Sequence, residues 1–152
     1  MNKRNTSAII RMMAITLVIA LTLPMGVSAA TADTVQPRAS DYLSSYNAYV
    51  YAAGDGQIQV WFTVTGTEYM DSLGAVTIKI YESTDNTNWT WKKSFSNGNY
   101  PELIGYNDYF HTGHVDYQGV IGRYYRAYVT IWAGKNGQGD SRYFYTSAKR
   151  AI

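Results

Sequence analysis

Asp108, His111, His114 and Asp116 place four side chains with metal-ligating atoms within nine residues, and His111 and His114 are the only histidines in the chain. Zinc takes such ligands as a closed set of four, or as three with an open position. The spacing works against a shared ion, because residues 111 and 114 of an extended segment project from opposite faces. Gly113 would have to turn the chain to bring them together, and an ordinary polar strand and turn accounts for the same residues. No metal site is therefore expected. A calcium loop over 134–140 is opposed by its composition: Asp140 is the sole carboxylate there, whereas calcium takes six or more oxygens. A plain hairpin turn fits that stretch.

Hydrolysis of a glycosidic bond needs two carboxylates a set distance apart across a cleft. Glu68, Asp71, Glu82, Asp85 and Glu102 all fall in or beside expected loops, and nothing in their spacing singles out a pair. The chain has no cysteine and so no thiol nucleophile, and no serine stands in a Gly-x-Ser-x-Gly elbow. Neither catalytic residues nor a cofactor are expected.

The stretch 124–132 carries a different kind of chemistry. Tyr124, Tyr128 and Trp132 recur every four residues, which sets them along one strand face about 13 Å apart, with Arg126 and Thr130 between them. Tyr81 and Lys79 extend this stripe if their segment is a neighbouring strand. Aligned rings with polar gaps suit stacking on sugar rings or docking on a protein surface. Sheet packing also uses such residues, since cross-strand aromatic pairs contribute about 0.2 to 1 kcal/mol each. The expected binding residues are Tyr81, Tyr124, Arg126, Tyr128 and Trp132.

These residues need strands to hold them. Ile58, Val60, Phe62 and Val64 alternate with Gln57, Gln59, Trp61, Thr63 and Thr65, the clearest period-two run in the chain. Gly54-Asp55-Gly56 forms a turn from a preceding strand over 46–53. After an expected loop over 66–74, Val76, Ile78 and Ile80 alternate with Thr77, Lys79 and Tyr81. A turn over 84–88 leads to a strand over 89–95, whose Lys92 and Lys93 suit a sheet edge. Residues 97–122 read as loop with a short strand over 110–117. Tyr125, Ala127, Val129 and Ile131 then form an inward face, and a turn over 134–139 leads to a last strand over 141–148. About seven short strands with no helical period predict an all-β domain, an antiparallel β-sandwich.

The first 29 residues read as a helical signal peptide. Lys3, Arg4 and Arg11 precede an apolar run over 12–23, and Val27 and Ala29 stand three and one before an expected cleavage at Ala30. The run is shorter than the roughly 20 residues that span a bilayer, so a retained anchor is the lesser alternative, and the product is expected to be secreted. Three of the thirteen basic residues leave with the leader, so ten face eleven acidic ones at a formal net charge of −1. That balance argues against nucleic acid or an anionic membrane as partner. Residues 30–41 read as a flexible lead-in, and 42–152 as one domain without disulfides. All 23 aromatic residues follow the leader, which favours strands.

Gly122-Arg123-Tyr124-Tyr125-Arg126-Ala127-Tyr128-Val129, followed by Ala133-Gly134-Lys135-Asn136-Gly137, resembles the penultimate strand and last turn of fibronectin type III and immunoglobulin-like domains. That likeness implies a Tyr125 hydroxyl turned back to the backbone of the preceding loop. Glu82-Ser83-Thr84-Asp85 with Trp89 is similar to a mid-domain hairpin of such sandwiches. Trp61 departs from the pattern, since fibronectin-type domains turn a second-strand tryptophan inward. From Ser40-Asp41-Tyr42-Leu43 to Arg142-Tyr143-Phe144 the chain more closely resembles a family of short exported proteins of Gram-positive, mainly clostridial, bacteria, a domain of unknown function. This likeness implies export and a bacterial source, and assigns no residue a role. The expected function is an exported, non-catalytic binding module for a glycan or a cell-surface protein. A small secreted hydrolase or toxin-like effector and a structural subunit of an extracellular assembly are the alternatives.

Overall fold

One strand organises the sheet. In the computed structural model, which describes residues 40–152, β2 runs without a break through Gln57–Ser83, 27 residues, several times the usual strand length. The expected signal peptide lies outside the described residues. Four strands pair directly with β2, all antiparallel: β1 (Leu43–Gly54), β3 (Thr90–Ser96), β4 (Ile104–Gln118) and β5 (Tyr124–Lys135). β6 (Gln138–Tyr145) and the two-residue β7 (Lys149–Arg150) pair with β5. The result is one curled antiparallel sheet of seven strands, with a 3-10 turn at Pro101–Leu103 before β4.

The first half of β2 carries β1 along one edge and β4 along the other, β4 continuing as far as Gly74, while the second half carries β5 and β3. Register shifts against β4 between Thr65 and Met70, and against β5 between Ala75 and Thr77, let so long a strand bend and change partners. The inner face of the curl is the core. Phe62 and Val64 from the first half of β2, Ile78 and Ile80 from the second, and Val129 and Ile131 from β5 are fully buried. Each contributes about 1.5 to 3 kcal/mol through burial.

The expected loop over 66–74 is therefore strand, and its apolar residues explain why: Met70 and Leu73 are buried in the core, and Leu73 pairs with Gly105 on one side and Ala133 on the other. The short strand expected over 110–117 is the second half of the 15-residue β4. β3 pairs only with β2, which makes it the edge its lysines indicated. Of the lead-in, the described residues Ser40 and Asp41 are fastened: Ser40 Oγ donates to Asp140 Oδ2 (2.6 Å), and Thr67 Oγ1 donates to the Asp41 carbonyl (2.7 Å).

Glu82 continues the inward parity of Ile78 and Ile80 and is 5 % exposed. The Tyr125 hydroxyl donates to Glu82 Oε2 and accepts the Val120 N–H (2.8 Å), so it does reach back to the preceding loop. Arg123 Nη1 and Lys92 Nζ meet Glu82 Oε1, the latter at 3.1 Å. Burial pushes the Glu82 carboxyl up, but the bonds from Tyr125, Lys92 and Arg123 outweigh it and leave the group below its ordinary value of 4.5. Burial and the Glu82 bond push the Tyr125 hydroxyl up to about 12.

These shifts bracket a stability plateau. The unfolded chain takes up the Glu82 proton first as pH falls, so that contribution is present above 4.5 and is lost as pH drops through the lower folded value. Unfolded tyrosine ionises near 10, so the Tyr125 contribution is lost as pH rises from about 10 to about 12. Urea midpoints measured from pH 3 to 12 should fall at both ends, and Tyr125→Phe should flatten the alkaline fall. An alkaline limb unchanged in that variant would show that Tyr125 does not set it.

Candidate functional site

β5 alternates half-buried and buried residues along its length. Its outward members are Tyr124, Arg126, Tyr128, Thr130 and Trp132, and its inward ones are Tyr125, Ala127, Val129 and Ile131. Register then decides what stands beside them. Tyr81 of β2 is opposite Arg126, and Lys79 is opposite Tyr128. On the other side β6 sets Tyr145 opposite Tyr128 and Tyr143 opposite Thr130. That register follows from the two-residue turn Asn136-Gly137, whose φ values of 53° and 77° fit a type I′ hairpin and pair Lys135 with Gln138.

A contiguous aromatic surface results. The Tyr128 ring lies 4.8 Å from Tyr145 and 5.9 Å from Tyr143, and Tyr81 lies 5.9 Å from Tyr145, centroid to centroid. Tyr143 is 70 % exposed and Tyr145 49 %. Trp91 of β3 continues the row beyond Tyr81. Burial, then the neighbouring tyrosines, raise the Tyr81 and Tyr128 hydroxyls above their ordinary value, so both remain protonated and can donate and accept at neutral pH.

Arg126 sits within these rings. Its guanidinium carbon is 4.3 Å from the Trp89 centroid and 4.3 Å from that of Tyr145, a cation–π contact with each. Its Nε is buried and has no hydrogen-bond partner among the described residues.

Of the five expected binding residues, Tyr81, Arg126 and Tyr128 are brought together, and the other two flank them. Tyr124 contacts Arg150 at 5.9 Å. Trp132 donates from Nε1 to Ser72 Oγ (3.1 Å) and walls an open pocket of about 280 Å³ with Ser72, Val76, Asn97, Ile104 and Tyr106. Sequence reasoning missed Tyr143, Tyr145 and Trp89. The signal for the first two was the Asn136-Gly137 dipeptide: a turn placed there, rather than spread over 134–139, gives the register directly.

The metal-capable and acidic side chains are engaged elsewhere. His111 pairs with inward Val64 and His114 with outward Trp61, so they occupy opposite faces of β4. The His111 Nε2–H donates to the Glu102 carbonyl (2.9 Å), while His114 stacks on Trp61 at 4.3 Å. Among the described residues no cluster of three or more His, Asp or Glu is placed to hold a metal ion. Glu68 pairs with Lys135 and Asp71 accepts the Asn136 N–H, both at 2.7 Å. Asp85 closes its turn by accepting the Asn88 and Thr87 N–H groups, which hold its carboxyl well below the usual range.

Comparison with family models, with curated proteins and with solved structures finds no match for the chain.

Proposed function

We propose that the protein is an exported, non-catalytic module that binds a glycan on the outer face of β2, β5 and β6, on an immunoglobulin-like sandwich scaffold. The observation that carries the binding role is the cross-strand cluster of Tyr81, Tyr128, Tyr145 and Tyr143, with Tyr143 largely in water and Tyr145 about half so. Rings held side by side on a rigid sheet lose little freedom when a ligand stacks on them. Their hydroxyls supply donors and acceptors at the rim, which matches a sugar ring's apolar face and polar edge. The pocket beside Trp132 extends the surface at one end. The leader sequence supports export, and the Tyr125 bond to the loop before β5 supports the scaffold type.

The test is a glycan-binding screen of the purified protein followed by calorimetric titration of the best binder. Tyr128→Ala and Trp132→Ala, each with an unchanged thermal transition, should each weaken binding at least about tenfold, as truncation of a central aromatic anchor does. Wild-type affinity in both variants would overturn the assignment of this face.

A further inference from the structure

The cation at the centre of the platform says what kind of glycan it takes. We infer that the outer face reads a carboxylate, so that the ligand is an acidic, uronate-type polysaccharide held by Arg126. This rests on the glycan-binding reading of the same face.

The Arg126 guanidinium carbon lies over two rings, 4.3 Å from the centroid of Trp89 and 4.3 Å from that of Tyr145. The N–H donors of a guanidinium all lie in its plane. An acceptor that meets them must come edge-on, and a planar carboxylate does so with two oxygens at once. Nε is buried and has no partner among the described residues, so a ligand meets the outer edge of the guanidinium.

The surroundings have the matching sign. Lys79 stands on the same face, opposite Tyr128, and neither Arg126 nor Lys79 has an ion-pair partner among the described residues. β3 and β5 contain no Asp or Glu. Glu82 points to the other side of β2, where Lys92, Arg123 and Tyr125 hold it, and Asp140 is tied to Ser40. Two uncompensated cations thus share one face of a chain whose overall charge is close to balanced, and such a patch attracts anions. Distances agree as well. Arg126 and Tyr128 are two residues apart on one strand face, about 7 Å. A pyranose stacked on Tyr128 projects an equatorial carboxylate roughly in its own ring plane, along the face and toward that guanidinium edge.

Polygalacturonate and its methyl ester share a backbone and differ in charge, so the pair isolates the carboxylate. The wild type should bind polygalacturonate at least tenfold more tightly than the ester, with affinity falling as salt rises. Arg126→Gln should abolish that preference while leaving residual binding to the ester, and Lys79→Gln should reduce it without touching the Trp89 and Tyr145 stack. Both variants are first matched to the wild type by thermal melting; should Arg126→Gln unfold, Arg126→Lys, which keeps the charge and loses the fork, takes its place and should reduce the preference, an undiminished preference in it overturning the role of the guanidinium. Equal binding of acid and ester overturns the carboxylate inference and leaves the glycan reading standing. Tighter, Arg126-dependent binding of dextran sulfate would assign the site to sulfate instead. Binding of polyglutamate in place of any polysaccharide would point to an acidic protein partner and overturn both readings, as would absence of binding to every glycan.

Discussion

Glu82→Ala should lower the unfolding free energy by about 3 kcal/mol, the lower end of the range for removing one member of a buried charge pair. Three groups lose their acceptor at once: the Tyr125 hydroxyl, Arg123 and Lys92. The lower end applies because the Arg123 and Lys92 side chains are 42 % and 33 % exposed and regain water. The Tyr125 hydroxyl is buried and keeps only the Val120 N–H, leaving its own proton unpaired. Glu82→Gln, which retains the shape and an acceptor for Tyr125, should cost less. Urea denaturation reads both, as a shift in midpoint at constant slope. A midpoint for Glu82→Ala within error of the wild type would show that the network contributes nothing net.

Gly74→Ala should be at least as damaging, for a geometric reason. Gly74 pairs with Ile104 of β4 and Trp132 of β5, and its φ of 149° is unfavourable for any side chain. A Cβ there would stand 2.1 Å from the Leu103 carbonyl oxygen and 3.0 Å from the Ile104 Cα. Both are backbone atoms, so no side chain can rotate away and the start of β4 must lift off β2. Strain and overpacking of this kind cost about 1 to 3 kcal/mol each. At roughly 4 °C per kcal/mol for a domain of this size, the melting temperature should fall by about 10 °C or more. Gly98→Ala is the control, since the nearest atom to its added Cβ is Ser96 Oγ at 3.9 Å; it should melt with the wild type. A Gly74→Ala protein that also melts with the wild type would refute the close approach.

The two halves of β2 were legible because one face of each is apolar and the other polar, and the strand between them was not. Gly66, Thr67, Glu68, Asp71, Ser72 and Gly74 have the composition of a loop. What makes them strand is non-local pairing: Gly66 pairs with Leu43 of β1, and the stretch from Met70 to Gly74 pairs with β4 and β5, residues at least 30 positions away in the chain, which no local window contains. β4 hid for a related reason: most of residues 105–114 are exposed, so burial imposes no alternation there. The outward stripe on β5 was read from its period, but which residues accompany it depends on register. Glu82 is a different case. Its inward parity after Ile78 and Ile80 was visible, and a carboxylate at a core position demands partners, so the network was foreseeable from that position alone.

The sharing of β2 among four partners also determines how the domain comes apart. β1 pairs with its first half, β4 with its first half and its middle as far as Gly74, β3 and β5 with its second half, and β6 and β7 reach it only through β5. Every strand is thus held by β2 directly or through β5, and the sheet is expected to open as one cooperative unit. Central β2 amides should accordingly exchange their hydrogens only when the whole domain opens, so that the aromatic face stays assembled for as long as the protein is folded at all.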